Sequence, residues 1–311
     1  MNDWMIETRQ VSRAFDKTQA VRDLNLRVRK GSLFGLLGRN GAGKTTTIKM
    51  LVGLTRPDSG EIRVNGADPL GFTIADKRKI GYHSEKQILP PYMRVKNLVR
   101  FCSQFYPDWD HALVNRLLER FRIDPAKRIS ALSQGGQRQT GFILALAQRP
   151  DLLILDEPAA NLDAVARREF LDELLELIRQ GGKTVLISSH ILSDIERIAD
   201  EIGIIANGTL KVSDSLDRLK ETILKVRFFN FEHPAKMEIP ASYRMTYGEN
   251  ETLATLRAED RAVLDRLASA YHCEYETQSL SLEDLFVELS RDGMPDETGP
   301  MFDAKTPSRL R

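Results

Sequence analysis

One glycine-rich run restricts the fold of this chain more than any other segment. The apolar run Leu33–Leu37 comes directly before it, and from Ile48 apolar residues recur at helical spacing until the breakers at residues 57–60. A buried strand, a glycine loop and a helix in immediate succession indicate an α/β sheet with the loop at the carboxyl end of a strand. The residues of the run are Gly38, Arg39, Asn40, Gly41, Ala42, Gly43, Lys44, Thr45 and Thr46.

Residues 38–45 of this run fit the eight-position Walker A pattern G-x-x-x-x-G-K-[ST] in full, and we predict that all nine residues of the run bind ATP. Glycines let the backbone turn its N–H groups toward phosphates, and the N-terminus of the following helix adds about half a positive charge. Lys44 is predicted to reach the β- and γ-phosphates, and the Thr45 hydroxyl to bind Mg²⁺. A glycine turn with a purely structural role is the alternative.

Two further apolar runs, residues 152–155 and 184–187, are typical of strands in a parallel sheet that is covered on both faces. Asp156 and Glu157 follow the first run, at the end of the strand where such sheets bind ligands. We predict that Asp156 holds Mg²⁺ through water and that Glu157 orients or deprotonates the attacking water. Because neighbours on a strand alternate, the two carboxylates should point in different directions. Alternatively, Asp-Glu-Pro only ends the strand.

The charge balance argues against a polyanionic partner. Lys and Arg total 45, Asp and Glu total 44, and the formal net charge is +1. The chain therefore has no overall positive field, and we expect no nucleic-acid partner.

The apolar runs are far shorter than the roughly 20 residues of a spanning helix. The first residues lack a secretory pattern, and the two cysteines are far apart. These features predict a cytosolic chain that does not itself cross a membrane.

We divide the chain into an α/β domain over residues 1–220, a small α+β domain over residues 221–291 and an unfolded tail over residues 292–311. Residues from about 87 to 148 have a mainly helical pattern and are predicted to form an insert between two strands of the first domain. After Gly208 the pattern changes to alternation at Leu224, Val226 and Phe228. The tail combines Gly, Pro and charge without any period.

Two more motifs join these, Leu132-Ser133-Gln134-Gly135-Gly136 and Ser189-His190. With them the chain resembles the ATP-binding cassette (ABC) ATPases from about Ile6 to about Leu219. It resembles in particular the single-cassette ATPase subunits of bacterial ABC-2-type exporters, which include drug and antibiotic transporters. Its C-terminal domain, which ends in the segment from Ser281 to Phe286, is similar to the appended domain of that group. The resemblance implies a P-loop NTPase core with a helical insert.

The signature motif of the family can be placed in two registers. Gly135-Gly136-Gln137 looks like the Gly-Gly-Gln of the family, but a gapless count back from residues 149–151 aligns Leu132 to Gly136 with Leu-Ser-Gly-Gly-Gln. In that register Ser133 and Gly135 match, and Gln134 replaces the first glycine. The resemblance then implies that Ser133 and Gly135 bind ATP held by the other subunit of a dimer, with Ser133 capping a helix. An ordinary helix cap is the alternative.

The resemblance assigns further site residues. His190 would contact the γ-phosphate and help to hold Glu157, and the predicted catalytic residues are Lys44, Glu157 and His190. Glu85 stands where the family has the Q-loop glutamine, so the predicted Mg²⁺ ligands are Thr45, Glu85 and Asp156; a plain surface glutamate is the alternative for Glu85. Phe15 stands where the family stacks an aromatic ring on adenine. A capping role for His190 and a core position at the strand end for Phe15 are the alternatives. In the D-loop, Ala160 occupies a position where serine is frequent, followed by Asn161, Leu162 and Asp163.

These likenesses imply an energy-coupling subunit. Two copies, or this chain and a paralogue, would bind ATP and Mg²⁺ between them and drive a separate multi-span membrane permease, an exporter, from the inner face of the cell membrane. The segment near Glu85 to Tyr106, crowded with aromatic residues, is expected to receive the permease. Two alternatives stay open: a soluble ABC-type ATPase acting on nucleic acid or the ribosome, and a nucleotide-binding regulator whose Gln134 and Ala160 lower turnover.

Overall fold

The structure, a computed structural model, contains three β-sheets with helices packed around them. Its strands are β1 (Trp4–Phe15), β2 (Thr18–Leu24), β3 (Arg27–Arg29), β4 (Leu33–Leu37), β5 (Ser59–Val64), β6 (Ile80–His83), β7 (Leu152–Asp156), β8 (Thr184–Ser189), β9 (Glu201–Ala206), β10 (Thr209–Ser215), β11 (Ile223–Phe229), β12 (Arg244–Tyr247), β13 (Glu251–Arg257) and β14 (Glu274–Ser279). The residues it describes are 3–160, 162–179, 182–231, 237–239, 242–259 and 261–290.

Ten α-helices lie within these described ranges, with two short 3₁₀ turns at Pro69–Gly71 and Ile129–Ala131. The helices are α1 (Lys44–Leu51), α2 (Ile74–Arg78), α3 (Val95–Ser103), α4 (His111–Arg120), α5 (Gln134–Ala147), α6 (Ala164–Arg179), α7 (Leu192–Ile198), α8 (Leu216–Thr222), α9 (Ala262–Tyr271) and α10 (Leu282–Leu289). No helix in this part of the chain is both long and apolar enough to span a bilayer.

The central sheet has six strands in the order β10-β9-β4-β8-β7-β6. The five strands from β9 to β6 run parallel, and β10 pairs antiparallel with β9 at the edge. Because parallel strands are joined by crossovers, the chain order differs from the spatial order, and segments distant in sequence end at one edge of the sheet. The glycine-rich loop follows β4, and the acidic pair stands at the end of β7, with Asp156 as its last residue and Glu157 just after it.

Both faces of the central sheet are buried, which explains its continuous apolar runs. In β4, Leu33 and Leu37 belong to the hydrophobic core shared with α5, α6 and α7. Phe34 and Leu36, which point to the other face, pack in a second core with α1 and the strands β1 to β3 and β5. Those four strands form a separate antiparallel sheet in which β1 pairs with β2, β3 and β5. The predicted burial of these runs on two faces is confirmed.

The chain between β6 and β7 contains α3, α4 and α5, where the sequence predicts the helical insert. Aromatic rings join this segment to the core: the ring centres of Phe142 on α5 and Phe170 on α6 are 4.4 Å apart. A second link is ionic. The fully buried Glu173 of α6 (0% exposed) pairs with Arg116 and Arg120 of α4, at 2.6 and 2.8 Å.

The C-terminal part of the chain forms an antiparallel sheet of order β12-β13-β11-β14, packed with α9 over a hydrophobic cluster of its own. Two features tie it to the central sheet. The helix α8 crosses residue 220 and continues directly into β11, and α10 returns to bury Leu282, Leu285 and Leu289 in the core beside α7. The domain bounds therefore stay predictions, and residues 292–311 lie outside the described residues.

We expect the ionic link between α4 and α6 to contribute strongly to stability. Replacing both arginines (Arg116→Met with Arg120→Met) leaves the carboxylate of Glu173 buried without a cation and should lower the free energy of unfolding by about 3 kcal/mol. Urea unfolding followed by circular dichroism measures this. As a control, Arg149→Met breaks an exposed pair with Asp110 and should cost less than about 1 kcal/mol. Equal losses in the two variants would contradict the prediction.

Candidate active site

The glycine-rich loop connects the end of β4 to the start of α1. Gly43 is the residue before α1 and has φ of 111°, a left-handed conformation that side chains disfavour. A Cβ atom at this position would also lie 2.5 Å from the carbonyl oxygen of Ala20. Glycine is therefore required at the point where the loop turns into the helix, and this turn exposes the N-terminus of α1 to a ligand.

The side chain of Lys44 lies inside the loop and is 6% exposed. Its Nζ donates a 2.6 Å hydrogen bond to the carbonyl oxygen of Gly38, which fixes the ammonium group at the mouth of the loop. The same Nζ is 3.2 Å from Oε1 of Glu157, a residue far away in sequence. The predicted phosphate-binding cation and the predicted base thus face each other.

A cavity of about 210 Å³ lies over the loop. It brings together residues from the segment after β4, from the segment after β6 and from the end of β7. This placement of Glu85 beside the loop favours its predicted site role over a plain surface position. The cavity is lined by Ala20, Arg39, Asn40, Gly41, Gly43, Lys44, Thr45, Thr46, Glu85 and Glu157.

Glu157 stands just past the end of β7 with a left-handed backbone, φ 48°. The two carboxylates of the acidic pair do point to different partners, but the predicted reason, alternation along a strand, is wrong. The left-handed turn at Glu157 ends the strand and sets the direction of its side chain. The strain of such a conformation persists where the surrounding contacts hold it, as they often do at functional sites.

Sequence reasoning missed Ser188, the penultimate residue of β8. Its Oγ donates a 2.7 Å hydrogen bond to Oδ1 of Asp156 and accepts one of 2.9 Å from the backbone N–H of Glu157. Ser188 is the register partner of Asp156 across the two parallel strands. Aligning the ends of the two apolar runs would have found it, because side chains at paired positions of adjacent strands share a face.

Asp156 fits the role of a cation ligand. Its Oδ2 is buried without a hydrogen-bond partner. Burial raises the pKa of this carboxyl, the hydrogen bond from Ser188 and the nearby hydroxyl of Thr45 oppose the shift, and the negative charges of Glu157 and Glu85 raise the pKa further. A cation beside Asp156 would relieve both the burial of the charge and the repulsion.

The oxygen atoms of these side chains suit Mg²⁺ that is bound together with a nucleotide. Among the described residues, no group of three or more His, Cys, Asp or Glu side chains could hold a metal ion. Magnesium, however, is usually bound by one or two carboxylates together with waters and phosphate oxygens. The hydroxyl of Thr45 and the carboxylate of Asp156 are oxygen donors of this kind, and Glu85 lines the same cavity.

His190 follows β8 and contacts Glu157 directly. Its Nδ1 is 2.6 Å from Oε2 of Glu157, and its side chain is 48% exposed. The carboxylate of Glu157 is therefore held between Lys44 on one oxygen and His190 on the other.

A second histidine, His83, is fully buried at the end of β6. Burial lowers the pKa of its ring to about 4, so the neutral ring donates its Nε2–H to the carbonyl oxygen of Arg138, at 3.1 Å.

The three predicted ATP-binding residues outside the loop do not line the cavity, and within the loop Gly38 and Ala42 do not line it either. Ser133 is exposed and caps α5, its Oγ accepting a 3.1 Å hydrogen bond from the N–H of Gly136. Gly135 lies next to it, and a Cβ there would be 3.3 Å from a side-chain carbon of Leu162. Phe15 is largely exposed at the end of β1, with the guanidinium of Arg13 4.7 Å from the centre of its ring. Their roles stay predictions, and Asn161 lies outside the described residues.

A glycine loop before a helix, a buried lysine and a strand-end acidic pair define a P-loop nucleotide-binding protein. The family model described as ABC transporter matches residues 21–160. The ABC transporter ATP-binding protein YtrB of Bacillus subtilis is 36% identical over 223 residues, 72% of this chain and 76% of that protein. The Nod factor export ATP-binding protein I of Burkholderia lata is 32% identical over 300 residues, covering 94% and 98%.

A solved structure of an ATP-binding subunit of an ABC transporter is also similar, with a TM-score of 0.64 and 29% identity over 70% of this chain and 92% of that one. The chain belongs to the ABC transporter ATP-binding proteins. The predicted fold, a P-loop core of the ABC ATPase type, is confirmed, and so is the prediction that the chain is an ATP-binding ATPase.

We expect Lys44→Ala to raise the dissociation constant for ATP by about 100-fold, because truncating a buried charge leaves the phosphates without their cation. Equilibrium titration with a fluorescent ATP analogue measures the constant. Lys49→Ala removes a cation from the exposed side of the same helix, α1, and should leave binding unchanged. If both variants bind ATP like the wild type, the loop is not the phosphate site.

Proposed function

We propose that two copies of this chain close around two ATP molecules and that closure and hydrolysis drive a separate membrane permease, an exporter. The observation that carries the proposal is the position of the Glu157 carboxylate, between Lys44 and His190 at the mouth of the phosphate loop. One of the similar proteins, which aligns with this chain over nearly its whole length, is named as an export ATP-binding protein. That name supports export without identifying what this chain helps to transport.

The chain's own residues account for the chemistry of hydrolysis. ATP enters the cavity with its phosphates on the loop. The ion pair between Lys44 and Glu157 breaks, and Lys44 binds phosphate oxygens instead. Glu157 then accepts a proton from the water that attacks the γ-phosphorus, and the bond to the bridging oxygen breaks to release ADP and phosphate. His190, held 2.6 Å from Glu157, keeps the carboxylate in place while it accepts the proton.

Thr45, Asp156 and Glu85 are the residues that would hold Mg²⁺ with the nucleotide. When bound, the ion neutralises charge on the phosphate oxygens. The buried Oδ2 atom of Asp156, which has no hydrogen-bond partner, supports this assignment.

Dimer formation is supported by the exposure of Ser133. It caps α5, and the first N–H groups of a helix have no partner within the helix, a setting that favours an anion. Because Ser133 does not line the cavity of its own subunit, a second copy is needed to bring it to a phosphate. The chain would work at the cytoplasmic face of the membrane, bound to its permease.

We expect Glu157→Gln to retain ATP and to slow its hydrolysis by about 10²- to 10⁴-fold, because the amide keeps the shape but accepts no proton. Removing the charge that competes for Lys44 should also tighten ATP binding. Phosphate release measures hydrolysis, and size-exclusion chromatography with light scattering should show an ATP-dependent dimer. Glu61→Gln, an exposed change on β5, is the control.

Two outcomes would contradict the proposal. A Glu157→Gln variant that turns over ATP at the wild-type rate excludes Glu157 as the base. A wild-type chain that binds ATP without hydrolysing it is the result expected of the low-turnover regulator.

The surface that would receive the permease contains exposed apolar side chains in the segment that follows Glu85. Ile88 is 90% exposed and Tyr92 is 74% exposed. Phe101 and Phe105 are about half exposed and contact each other edge to face, with ring centres 5.2 Å apart. Exposed apolar side chains grouped in this way are typical of interaction surfaces.

We expect Ile88→Asp to weaken recruitment to membranes that contain the permease, since it places a charge among these apolar side chains. Co-sedimentation with such membranes measures recruitment, and the isolated variant should bind ATP like the wild type. Lys225→Asp introduces the same carboxylate on β11, in the C-terminal sheet, and should be recruited normally. Full recruitment of Ile88→Asp, or a wild-type chain that never sediments, would contradict the permease assignment.

A further inference from the structure

The carbonyl group of Glu157 has a partner that the reaction described above does not use. The N–H of Glu157 is held by Ser188. Its carbonyl oxygen accepts a hydrogen bond of 3.2 Å from the N–H of Ala160 and one of 3.0 Å from Nη1 of Arg138. Since the left-handed backbone of Glu157 sets the direction of its carboxylate, a group that holds this carbonyl also holds the carboxylate.

Arg138 lies on α5, five residues after Ser133. Its side chain is half-buried, and within the described ranges no carboxylate forms an ion pair with its guanidinium, so its described side-chain hydrogen bond goes to a backbone oxygen. A half-buried cation that donates to one carbonyl is a specific arrangement, because partial burial without an ion pair is unfavourable unless the hydrogen bond is well made.

The backbone around Arg138 is also fixed. The ring of His83, at the end of β6, is 3.1 Å from the carbonyl oxygen of Arg138. One turn further along α5, a Cβ at Gly141 would lie 2.5 Å from Oε1 of Gln87, so the side chain of Gln87 packs directly on the helix. Arg138 is thus the residue at which α5, the end of β6 and the end of β7 meet.

We propose that Arg138 is a positioning residue for ATP hydrolysis, which transmits the position of α5 to the catalytic carboxylate of Glu157 in the same subunit. The inference rests on the proposed dimer, in which Ser133 at the start of α5 meets the ATP of the other subunit. A helix moves as a rigid body over five residues, so a displacement at Ser133 reaches Arg138 and the Glu157 carbonyl. Hydrolysis in one subunit then depends on nucleotide in the other.

The test compares Arg138→Met with Arg138→Lys. Methionine keeps the length of the side chain but donates no hydrogen bond, so we expect kcat to fall about tenfold or more, KM to stay unchanged and the Hill coefficient for ATP to fall toward 1. Lysine can still donate to the carbonyl and should restore part of the rate. Arg149→Met, just beyond the other end of α5, makes the same chemical change and should leave kcat and the Hill coefficient unchanged.

A second readout separates positioning from support of the helix. In the Glu157→Gln background, Arg138→Met should still form the ATP-dependent dimer at the same ATP concentration and unfold at the same temperature. Wild-type kcat and cooperativity in Arg138→Met would overturn the inference, and so would loss of the dimer or a lowered unfolding temperature. A wild-type chain without hydrolysis or dimer formation would instead refute the proposed function, and with it the role of Arg138.

Discussion

The site depends on the burial of a parallel sheet on both of its faces. Helices cover one face and an antiparallel sheet with α1 covers the other, so β4 has no polar side chain, and the polar side chains of β7 and β8 lie at strand ends: Thr184 at the start of β8, and Asp156, Ser188 and Ser189 at the carboxyl ends. Polar residues can begin only where the strands end. The parallel direction then brings these ends to one edge, which is why the lysine after β4, the acidic pair at the end of β7 and the histidine after β8 meet.

Within that edge, Glu157 is the most constrained residue. Its N–H, its carbonyl and both carboxylate oxygens each have a partner, from Ser188, from Arg138 and Ala160, and from Lys44 and His190. Such contacts hold a left-handed backbone that glutamate would otherwise avoid. These partners belong to different elements, so a change at any of those elements can alter the position of Glu157. Phosphate competes with Glu157 for Lys44, and a movement of α5 displaces Arg138.

ATP hydrolysis and transport are therefore supported by different parts of the structure. Hydrolysis is supported by contacts inside one subunit, all of them within a few ångströms of the phosphate loop. Coupling to a partner is supported by exposed features: Ser133 at the start of α5, and the apolar side chains after Glu85. Both exposed features connect to α5, through its first turn and through the packing of Gln87 on Gly141. This helix joins what happens outside the subunit to the carboxylate inside it.

The amino-acid sequence by itself determined the phosphate loop, the acidic pair, the buried strands and the family, because each depends on residues that are neighbours in the chain. Lys44, Asp156 and Glu157 could be assigned from local pattern and chemistry alone. Only the tertiary structure decided how Glu157 turns and that Arg138 holds its carbonyl, whereas the bridging Ser188 is a register partner of Asp156 that alignment of the strand ends could have found. The Arg138 contact joins residues 19 positions apart, and no periodicity or spacing in the sequence records a contact between a helix and the end of a strand that it crosses.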